Sequence, residues 1–426
     1  MVRSLSKIIV GVVLLLALMI YATTDANYPL GVWTRKADFA GTARQYAVSF
    51  AIPPNGYIGL GADSAGMPTD FWRYRPDSDR WDTIQRFPIA GRVSAVSFSY
   101  GTNAYVASGT DGVSVNDGIN YSVFQYSSTM NIWMQLNDLP GWIGARTEGV
   151  GLTIGHTGYL ATGNGGAYLN FNDLSKVNLT TGLWDSLHRM DYFNNINPSM
   201  ARFAACGFAI DHYLYVGTGL NDSAYFNDFW QYDTISDTWT QIANFGGTAR
   251  FGAVGFTLCN YGYVGLGQDA NLIYRQDFWL YDPSQNVWNF CHHFPGTGRK
   301  FAVAYSDGNA AYVGTGEDEW GRTKDFYKFT CDSVAGVVDM DKISCSLSVF
   351  PNPNNGIFEV NYDLNGEGKY ELVISDINGK LIDDYPLNSS KNRMKIDESK
   401  LGNGLYLYYL RNNGKIVKNG RFSIIK

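Results

Sequence analysis

The chain has 426 residues, of which 47 are glycine, 15% are aromatic and 17% are charged. This length and composition are typical of a β-rich protein with a sizeable core and argue against a disordered chain. The formal net charge of -6 lacks the basic excess that phosphate binding needs, so nucleic acid is not expected as a partner.

The N-terminus has the pattern of a secretory signal. Arg3 and Lys7 precede an apolar run at residues 8–20, and a polar stretch with small residues follows as far as Ala26. This order predicts a signal peptide over residues 1–26 that is removed on export. The apolar run is shorter than the roughly 20 residues of a membrane-spanning helix, so no membrane span is expected in the mature protein.

Cysteine is sparse for an exported protein. The five residues are Cys206, Cys259, Cys291, Cys331 and Cys345. They do not have the number or spacing of a disulfide framework, and the absence of a Cys-x-x-Cys pair argues against a zinc site. One disulfide, such as Cys331 with Cys345, is compatible with the sequence. The other interpretation is a set of buried apolar thiols.

Tryptophan recurs at a nearly constant interval along the first three quarters of the chain. Intervals of 48 to 55 residues separate Trp33, Trp81, Trp133, Trp184, Trp239 and Trp288. A period of about fifty residues is typical of a repeat architecture. The clearest copy is residues 228–233 followed by Trp239, in which an alternating aromatic strand, a polar turn and a second strand succeed one another.

Each period contains four short strands and no helical periodicity, which predicts a β-propeller blade. The sixth set of strands ends near Phe329 without a Trp strand after it, whereas Trp33 has no earlier strands before it. We therefore predict an all-β protein with a six-bladed propeller over residues 27–334, in which the Trp33 strand completes the last blade. Such closure leaves no free sheet edge.

The repeat resembles the kelch family. Its members have a glycine pair after a hydrophobic strand, a Tyr-Asp turn and a Trp about six residues later, and the likeness extends over residues 30–331. One departure is that the glycines are separated by one residue, as at Gly217 and Gly219. The resemblance implies the propeller fold. It does not imply one function, because the family includes scaffolds, ligand binders and a few enzymes.

A different pattern follows a predicted linker at residues 335–345. Alternating strands over residues 346–426 predict a small immunoglobulin-like β-sandwich. The stretch from Phe350 to Pro353, the turn at 376–380 and the segment from Leu401 to Tyr406 resemble the C-terminal sorting domain of the type IX secretion system. That resemblance implies a Bacteroidota-type cell, the secretion machinery as a partner, and a location in the medium or at the outer-membrane surface. The alternative is an accessory immunoglobulin-like domain.

One arginine begins the innermost strand of every blade, which predicts a ring near one mouth of the central channel. The six residues are Arg44, Arg92, Arg146, Arg202, Arg250 and Arg299. Such a ring is a candidate site for a carboxylate, sulfate or uronic acid through bidentate hydrogen bonds. The alternative is a structural role within each blade, which the repetition itself favours.

The loops between second and third strands differ from blade to blade, and such variation marks where specificity resides. The candidate ligand-binding residues there are Tyr225, Tyr274, Glu317, Glu319 and Trp320. Aromatic faces beside charged groups suit sugars or peptides. We therefore predict an exported binding protein whose ligand is a glycan or a protein. The alternative for each residue is an ordinary solvated loop.

An enzyme is the alternative function. The few histidines do not suit a copper site of the galactose oxidases, whose fold resembles that of kelch proteins, and neither a Gly-x-Ser-x-Gly elbow nor a His-Glu-x-x-His helix is present. No metal, cofactor or catalytic residue is therefore predicted. Paired carboxylates at Glu317, Asp318 or Glu319 would suit sugar chemistry. Six-bladed kelch enzymes that interconvert sialic acid anomers make a mutarotase-like epimerase the specific alternative.

Overall fold

The computed structural model describes residues 31–112, 118–166, 169–190, 200–331, 346–364, 369–376, 381–387, 393–412 and 415–426. The predicted signal peptide at 1–26 and the predicted linker at 335–345 lie outside these residues. The described parts form strands, turns and loops and contain no α-helix. Within them, no helix is long and apolar enough to cross a membrane.

The chain divides into two compact units, of which the first is Gly31–Cys331. Its strands, in chain order, are β1 (Gly31–Lys36), β2 (Val48–Ile52), β3 (Asn55–Gly59), β4 (Phe71–Arg75), β5 (Arg80–Thr83), β6 (Val96–Tyr100), β7 (Asn103–Ala107), β8 (Val123–Ser127), β9 (Ile132–Gln135), β10 (Val150–Ile154), β11 (Thr157–Ala161), β12 (Leu174–Asn178), β13 (Trp184–Leu187), β14 (Cys206–Ile210), β15 (Tyr213–Gly217), β16 (Phe229–Asp233), β17 (Thr238–Gln241), β18 (Arg250–Phe251), β19 (Val254–Leu258), β20 (Tyr261–Gly265), β21 (Gln268–Asp269), β22 (Asp277–Asp282), β23 (Val287–His293), β24 (Val303–Ser306), β25 (Ala311–Gly314), β26 (Glu317–Asp318), β27 (Gly321–Arg322) and β28 (Phe326–Cys331).

Twenty-four of these strands form six four-stranded antiparallel sheets, each of which we call a blade, and the short pairs β18-β21 and β26-β27 form two further sheets. The first four blades are β2 to β5, β6 to β9, β10 to β13 and β14 to β17. The fifth consists of β19, β20, β22 and β23, and the sixth of β24, β25, β28 and β1. Strand β1 pairs with β28 from Gly31 opposite Cys331 to Lys36 opposite Phe326, so the strand that carries Trp33 is the outer strand of the last blade, as predicted.

The inner strands contact one another in cyclic order. Strand β2 contacts β6, the contacts continue through β10, β14 and β19 to β24, and β24 contacts β2 again. A ring of backbone hydrogen bonds follows the same order. In each blade, the residue two positions after the arginine has a positive φ, and its N–H donates to the carbonyl of its counterpart in the preceding blade over 2.9 to 3.3 Å. These residues are Tyr46, Ser94, Glu148, Ala204, Gly252 and Phe301.

Aromatic side chains fill the space between neighbouring blades. Trp133, for example, lies 4.9 Å from Phe71 of the preceding blade and 5.2 Å from Phe87 of the connection between the two. Its indole N–H donates to the Gln85 carbonyl over 3.0 Å. Burial of such rings stabilises each interface through lost apolar surface and offset or edge contacts. The recurring Trp is therefore part of the scaffold.

One disulfide joins the fifth blade to the sixth. It links Cys259, in the turn after β19, to Cys331 at the end of β28. Cys331 is therefore paired with Cys259 and not with Cys345, which lies outside the described residues. A cross-link over 72 residues is worth about 4 kcal/mol in the chain-entropy model. Burial raises the pKa of the free Cys206 thiol to about 12 and that of Cys291 to about 11, so both thiols are unreactive at neutral pH.

The second unit contains the strands after residue 345, which are β29 (Ser346–Phe350), β30 (Ile357–Asp363), β31 (Tyr370–Asp376), β32 (Leu381–Leu387), β33 (Arg393–Asp397), β34 (Gly404–Asn412) and β35 (Lys415–Ile424). One sheet has the order β29-β30-β33 and the other β32-β31-β34-β35. Side chains of both sheets share one core, in which the rings of Phe358 and Phe422 lie 4.6 Å apart. This is the predicted small β-sandwich.

Candidate functional site

The six repeated arginines are buried beneath one mouth of the propeller channel. Each has a relative exposure of 0%. Every Nη1 donates to the carbonyl of the residue just before the second glycine of the Gly-x-Gly motif, or of the Ala-x-Gly that replaces it in the second and third blades, as from Arg202 to Thr218 over 3.2 Å. Five of the six also bond a carboxylate of their own blade with both Nη atoms, and these acids are Asp70, Asp173, Asp228, Asp277 and Asp325.

The ion pair of Arg202 and Asp228 shows how such a group is held in the interior. The two Nη atoms lie 2.5 and 2.9 Å from the two carboxylate oxygens. Burial opposes ionisation of Asp228, but the hydrogen bonds from Arg202 outweigh it and hold the pKa of the carboxyl below its usual value. The pair is thus satisfied internally, and its guanidinium group lies out of reach of a ligand.

The arginine carbonyl connects each blade to the one before it. The Gly219 N–H donates to the Arg250 carbonyl over 2.7 Å. Gly219 has a φ of +87, and a Cβ there would lie 2.7 Å from the Phe203 carbonyl oxygen. Only glycine fits such a conformation and such a close backbone approach. The repeated glycine is therefore needed for blade-to-blade bonding.

The second blade departs from this arrangement. Ser122 occupies the position of the missing carboxylate, and its Oγ accepts a hydrogen bond from Arg92 Nη2 over 2.9 Å. Arg92 Nη1 donates to the Ser108 carbonyl over 2.9 Å, while Nε has no hydrogen-bond partner among the described residues. Burial lowers the pKa of Arg92 to about 10. All six positions therefore support the structural interpretation of the arginine ring more than the ligand-binding one.

Above the arginines, polar side chains surround the channel mouth. We call Tyr46, Glu148, Tyr274, Lys300 and Glu317 the mouth cluster. Its central cation is Lys300, whose Nζ lies 2.9 Å from Gln268 Oε1 and 3.8 Å from the carboxylate of Glu317. The same Nζ lies 5.4 Å from the centre of the Tyr274 ring, within the range of a cation–π contact. The cluster therefore combines a cation, carboxylates and phenol groups.

Glu148 is the member of the mouth cluster with the most altered ionisation. Its side chain is half-buried, and Oε2 has no hydrogen-bond partner among the described residues. Burial raises the pKa of Glu148 to about 7, against the opposing influence of the Lys300 charge. A carboxyl group with this pKa can take up or release a proton at neutral pH.

Tyr46 supplies an aromatic face at the mouth. Its ring stacks on Phe301 with the two centres 3.9 Å apart. Burial, and then the negative charge of Glu148, raise the pKa of the Tyr46 phenol well above its usual value. The hydroxyl therefore stays protonated and can donate a hydrogen bond.

The channel below the mouth is narrow. Its volume is about 210 Å³, which is less than the 300 to 1,000 Å³ of typical ligand pockets. Small residues at the start of the inner strands line it, among them Ala47, Ala95 and Ala205. The channel itself is therefore too narrow for a sugar or a peptide, and the mouth cluster offers the accessible surface at this face.

Exposed apolar side chains adjoin the mouth cluster on the loops of the fifth and sixth blades. We call Leu272, Ile273 and Trp320 the loop patch, in which Leu272 is 70% and Trp320 76% exposed. A cavity of about 830 Å³ beside them is lined also by Tyr274 and Glu319. Tyr274 belongs to both the cavity and the mouth cluster. The two features therefore form one continuous candidate surface.

Turns rather than packing hold the loop patch in place. Asp318 Oδ1 accepts the backbone N–H groups of Trp320 and Gly321 over 2.9 and 3.0 Å. Asp269 does the same for Asn271 and Ile273 over 2.9 and 3.0 Å. Such Asx turns fix a loop without covering its tip, which leaves the apolar side chains available for contact.

The structure brings together some of the residues proposed from sequence. Tyr274 and Glu317 lie in the mouth cluster, and Glu319 and Trp320 lie beside the loop-patch cavity. Tyr225 is connected to the mouth cluster through Phe251. The Tyr225 ring lies 5.7 Å from the Phe251 ring, and the Phe251 ring lies 5.3 Å from Lys300 Nζ. The six arginines lie apart from this surface in the interior.

Sequence reasoning missed Tyr46, Glu148 and Lys300. Each directly follows a repeated arginine by one or two positions. At the second of these positions the blades carry Tyr, Ser, Glu, Ala, Gly and Phe in turn. This variation at a fixed offset from an invariant residue was the available signal. Among the described residues, no group of three or more His, Cys, Asp or Glu side chains could hold a metal ion.

Comparison with known proteins agrees with this architecture. Residues 201–246 match the model of the Kelch motif, and residues 348–425 match that of the secretion system C-terminal sorting domain. The solved structure titled "Structure of YjhT" is similar with a TM-score of 0.56 and 16% identity, over 68% of this chain and 96% of that one. No curated protein sequence matches the chain.

These findings define the class of the protein. Its propeller contains a Kelch motif, and its C-terminal unit carries a type IX secretion C-terminal sorting domain. The sorting domain marks it for export to the cell surface or the medium and implies contact with the secretion machinery. The likeness to YjhT, at 16% identity, concerns the fold.

Exchanges at the carboxylate position test the structural role of the arginines. Asp228→Asn removes the charge partner of buried Arg202, and we expect a loss of about 3 to 5 kcal/mol in the free energy of unfolding. Ser122→Asp supplies the carboxylate that Arg92 lacks, and we expect a gain of about 1 to 2 kcal/mol. Urea denaturation measures both. A Ser122→Asp protein less stable than the wild type would contradict the assignment.

The raised pKa of Glu148 predicts that the free energy of unfolding depends on pH. Its pKa is raised from 4.5 to about 7 on folding, so the folded state keeps a proton that the unfolded state loses. The resulting stabilisation is complete below about pH 4.5 and is lost as pH rises towards 7, by up to about 3 kcal/mol. We expect this decline to be smaller in Glu148→Gln. Urea denaturation at several pH values measures it.

Glu319→Gln is the matched control, because Glu319 is exposed. This variant should show the same decline between pH 4.5 and 7 as the wild-type protein. Equal slopes for wild type and Glu148→Gln would mean that Glu148 ionises alike in both states.

Proposed function

We propose that the exported protein binds a glycan across the mouth cluster and the loop patch. The observation that carries this proposal is the continuity of the two, with Tyr274 lining the cavity beside Trp320 and lying 5.4 Å from Lys300 Nζ. Sugars present an apolar ring face and a rim of hydroxyl groups, so they suit an exposed aromatic beside charged and phenolic groups. A protein ligand would use the same surface with a peptide side chain against Trp320.

Charge favours a ligand with hydrogen-bonding groups of both kinds. The mouth holds the cation Lys300 next to the carboxylate of Glu317. Glu317 would repel a simple anion, and Lys300 would repel a simple cation. A polyhydroxylated ligand can donate hydrogen bonds to Glu317 and accept them from Lys300. Export through the secretion system fits this proposal, since extracellular glycans are then the accessible ligands.

The route of export follows from the two ends of the chain. We propose that residues 1–26 act as a signal peptide that is cleaved on passage through the inner membrane, and that the mature protein has no membrane span. The apolar run at 8–20 and the small residues up to Ala26 support the assignment of a signal peptide. The C-terminal domain then directs the chain across the outer membrane.

A sugar epimerase is the second candidate, because of Glu148. Exchange of sugar anomers needs a group that moves protons to and from the ring oxygen and the anomeric hydroxyl. Glu148 has a pKa of about 7 and an oxygen without a partner among the described residues. The protonated Tyr46 hydroxyl would act as a donor beside it. Free sialic acids are the first substrates to examine.

A binding experiment tests the first proposal. The mature protein is applied to an array of glycans and peptides, and Trp320→Ala is compared with wild type by titration of each positive ligand. We expect the dissociation constant to rise at least tenfold, because the exposed ring supplies the apolar face. Trp142→Ala is the matched control, since Trp142 is also exposed, at 59%, but lies outside the loop patch.

The array distinguishes a glycan ligand from a protein ligand, because glycans and peptides occupy different spots. Signals confined to peptides would replace the glycan with a protein ligand. An array without any signal that depends on Trp320 would remove the proposal for this surface.

Exchange spectroscopy by NMR tests the epimerase. If the candidate is right, the protein accelerates anomer exchange of a free sugar, and Glu148→Gln lowers that acceleration by about 100-fold or more. The rate should change with pH near 7, where Glu148 titrates. Trp142→Ala, which belongs to neither the mouth cluster nor the loop patch, controls for general damage. Equal exchange with and without protein would exclude this activity for the sugars examined.

A further inference from the structure

One interface between blades has none of the three rings that fill the first–second and fourth–fifth interfaces, whereas the next one, around Trp239, keeps Tyr232 beside the aliphatic Leu174 and Met190. Between the first and second blades, Trp133 contacts Phe71, Phe87 and Tyr126 at 4.9 to 5.2 Å. Between the fourth and fifth, Trp288 has the same set of partners at equivalent positions, namely Phe229, Phe245 and Tyr281. The equivalent residues around Trp184, between the second and third blades, are Val123, Leu139 and Val177. All three rings are replaced by aliphatic side chains.

These replacements leave a cavity of about 550 Å³ beside Trp184, which we call the inter-blade pocket. This volume lies within the range of small-molecule sites. Phe98, Val177 and Leu179 contribute apolar lining. Because filling by the repeat's own aromatic residues would bury more apolar surface, the open pocket costs stability. Packing alone does not account for it.

Neutral polar groups surround the apolar lining of the inter-blade pocket. The pocket is lined also by the side-chain amides of Gln125, Gln135 and Asn137, which make no hydrogen bond with the described residues. The Trp184 indole N–H likewise has no partner among the described residues, whereas that of Trp133 donates to a carbonyl over 3.0 Å. None of the lining side chains is Asp, Glu, Lys, Arg or His. Donors and acceptors are thus available without a formal charge.

We propose that the inter-blade pocket is a second ligand site, and that it binds a neutral saccharide unit. The apolar face of the sugar ring would lie against Trp184 and Phe98, and its hydroxyl groups would bond the amides of Gln125, Gln135 and Asn137. A charged ligand would lose its hydration without gaining a counter-charge, and a hydrocarbon would leave the amides unpaired. The site is separate from the loop face and does not depend on the function proposed there.

The pocket can be closed with residues that the repeat itself uses. Val177→Tyr restores the ring found as Tyr74 and Tyr232 in other blades, and Gly182→Asp restores its hydroxyl partner, as Tyr232 bonds Asp237 over 2.6 Å. The variant V177Y/G182D should keep or raise the melting temperature, because it fills a cavity. It therefore removes the pocket without removing the fold.

The experiment uses saturation-transfer NMR with methyl glycosides of glucose, galactose, mannose and N-acetylglucosamine on the mature protein. We expect transfer to the ring protons of at least one glycoside, and a loss of affinity of tenfold or more in V177Y/G182D. Both proteins are compared in the Trp320→Ala background, which removes the apolar face of the loop-face site, so that the loss in V177Y/G182D reports on the pocket alone. Should V177Y/G182D not fold, Trp184→Ala takes its place, with the same tenfold loss expected.

Two results would overturn the proposal. One is the absence of transfer to every one of these glycosides with the wild-type protein. The other is unchanged affinity in the folded variant that lacks the pocket or the indole, which would place the binding elsewhere on the chain.

Discussion

The buried arginine of each blade is the interaction on which the propeller depends. Its guanidinium group joins the second and third strands of its own blade, and its carbonyl accepts a hydrogen bond from the preceding one, as Arg250 does from Gly219 over 2.7 Å. Burial of a charge costs several kcal/mol unless geometry and partners are nearly ideal. Bidentate carboxylates meet that condition in five blades. Sheet pairing and blade-to-blade contact are therefore coupled at one residue.

The same arginine positions the candidate site. Lys300 is the next residue after an arginine, and Tyr46 and Glu148 are the second, so their places around the channel are fixed by the arginine beneath them. The ring of N–H to carbonyl bonds holds Tyr46 and Glu148 at positive φ, a conformation that costs roughly 1 to 2 kcal/mol for a residue with a Cβ. A function at the mouth would thus depend on a scaffold that accepts side chains as different as Tyr, Ser, Glu and Ala at this position.

The period of about fifty residues made the fold predictable, because every strand, the Gly-x-Gly motif and the closing Trp33 strand recur at fixed offsets. The site was predictable only in part. Tyr274, Glu317 and Trp320 stood out because loops vary, whereas Glu148 and Lys300 lay next to an invariant residue. The carboxylate partners of the arginines, such as Asp70 and Asp228, stand directly before the aromatic strands. Nothing in the sequence indicated that these acids bind the arginines. The disulfide partner of Cys331 could not be deduced, since only the packing of the sixth blade against the fifth brings it to Cys259.

Two departures from the repeat adjoin one another in the second blade. Ser122 and Val123 are neighbours in sequence, and one faces Arg92 while the other lines the inter-blade pocket. The first change leaves a buried cation without a hydrogen-bonded carboxylate among the described residues, and the second opens a cavity, so both lower stability. The other five blades have a carboxylate at the first position, and all of them except the third, which has Leu174, have Phe at the second. These two adjoining departures are therefore the strongest reason to look for function away from the loop face.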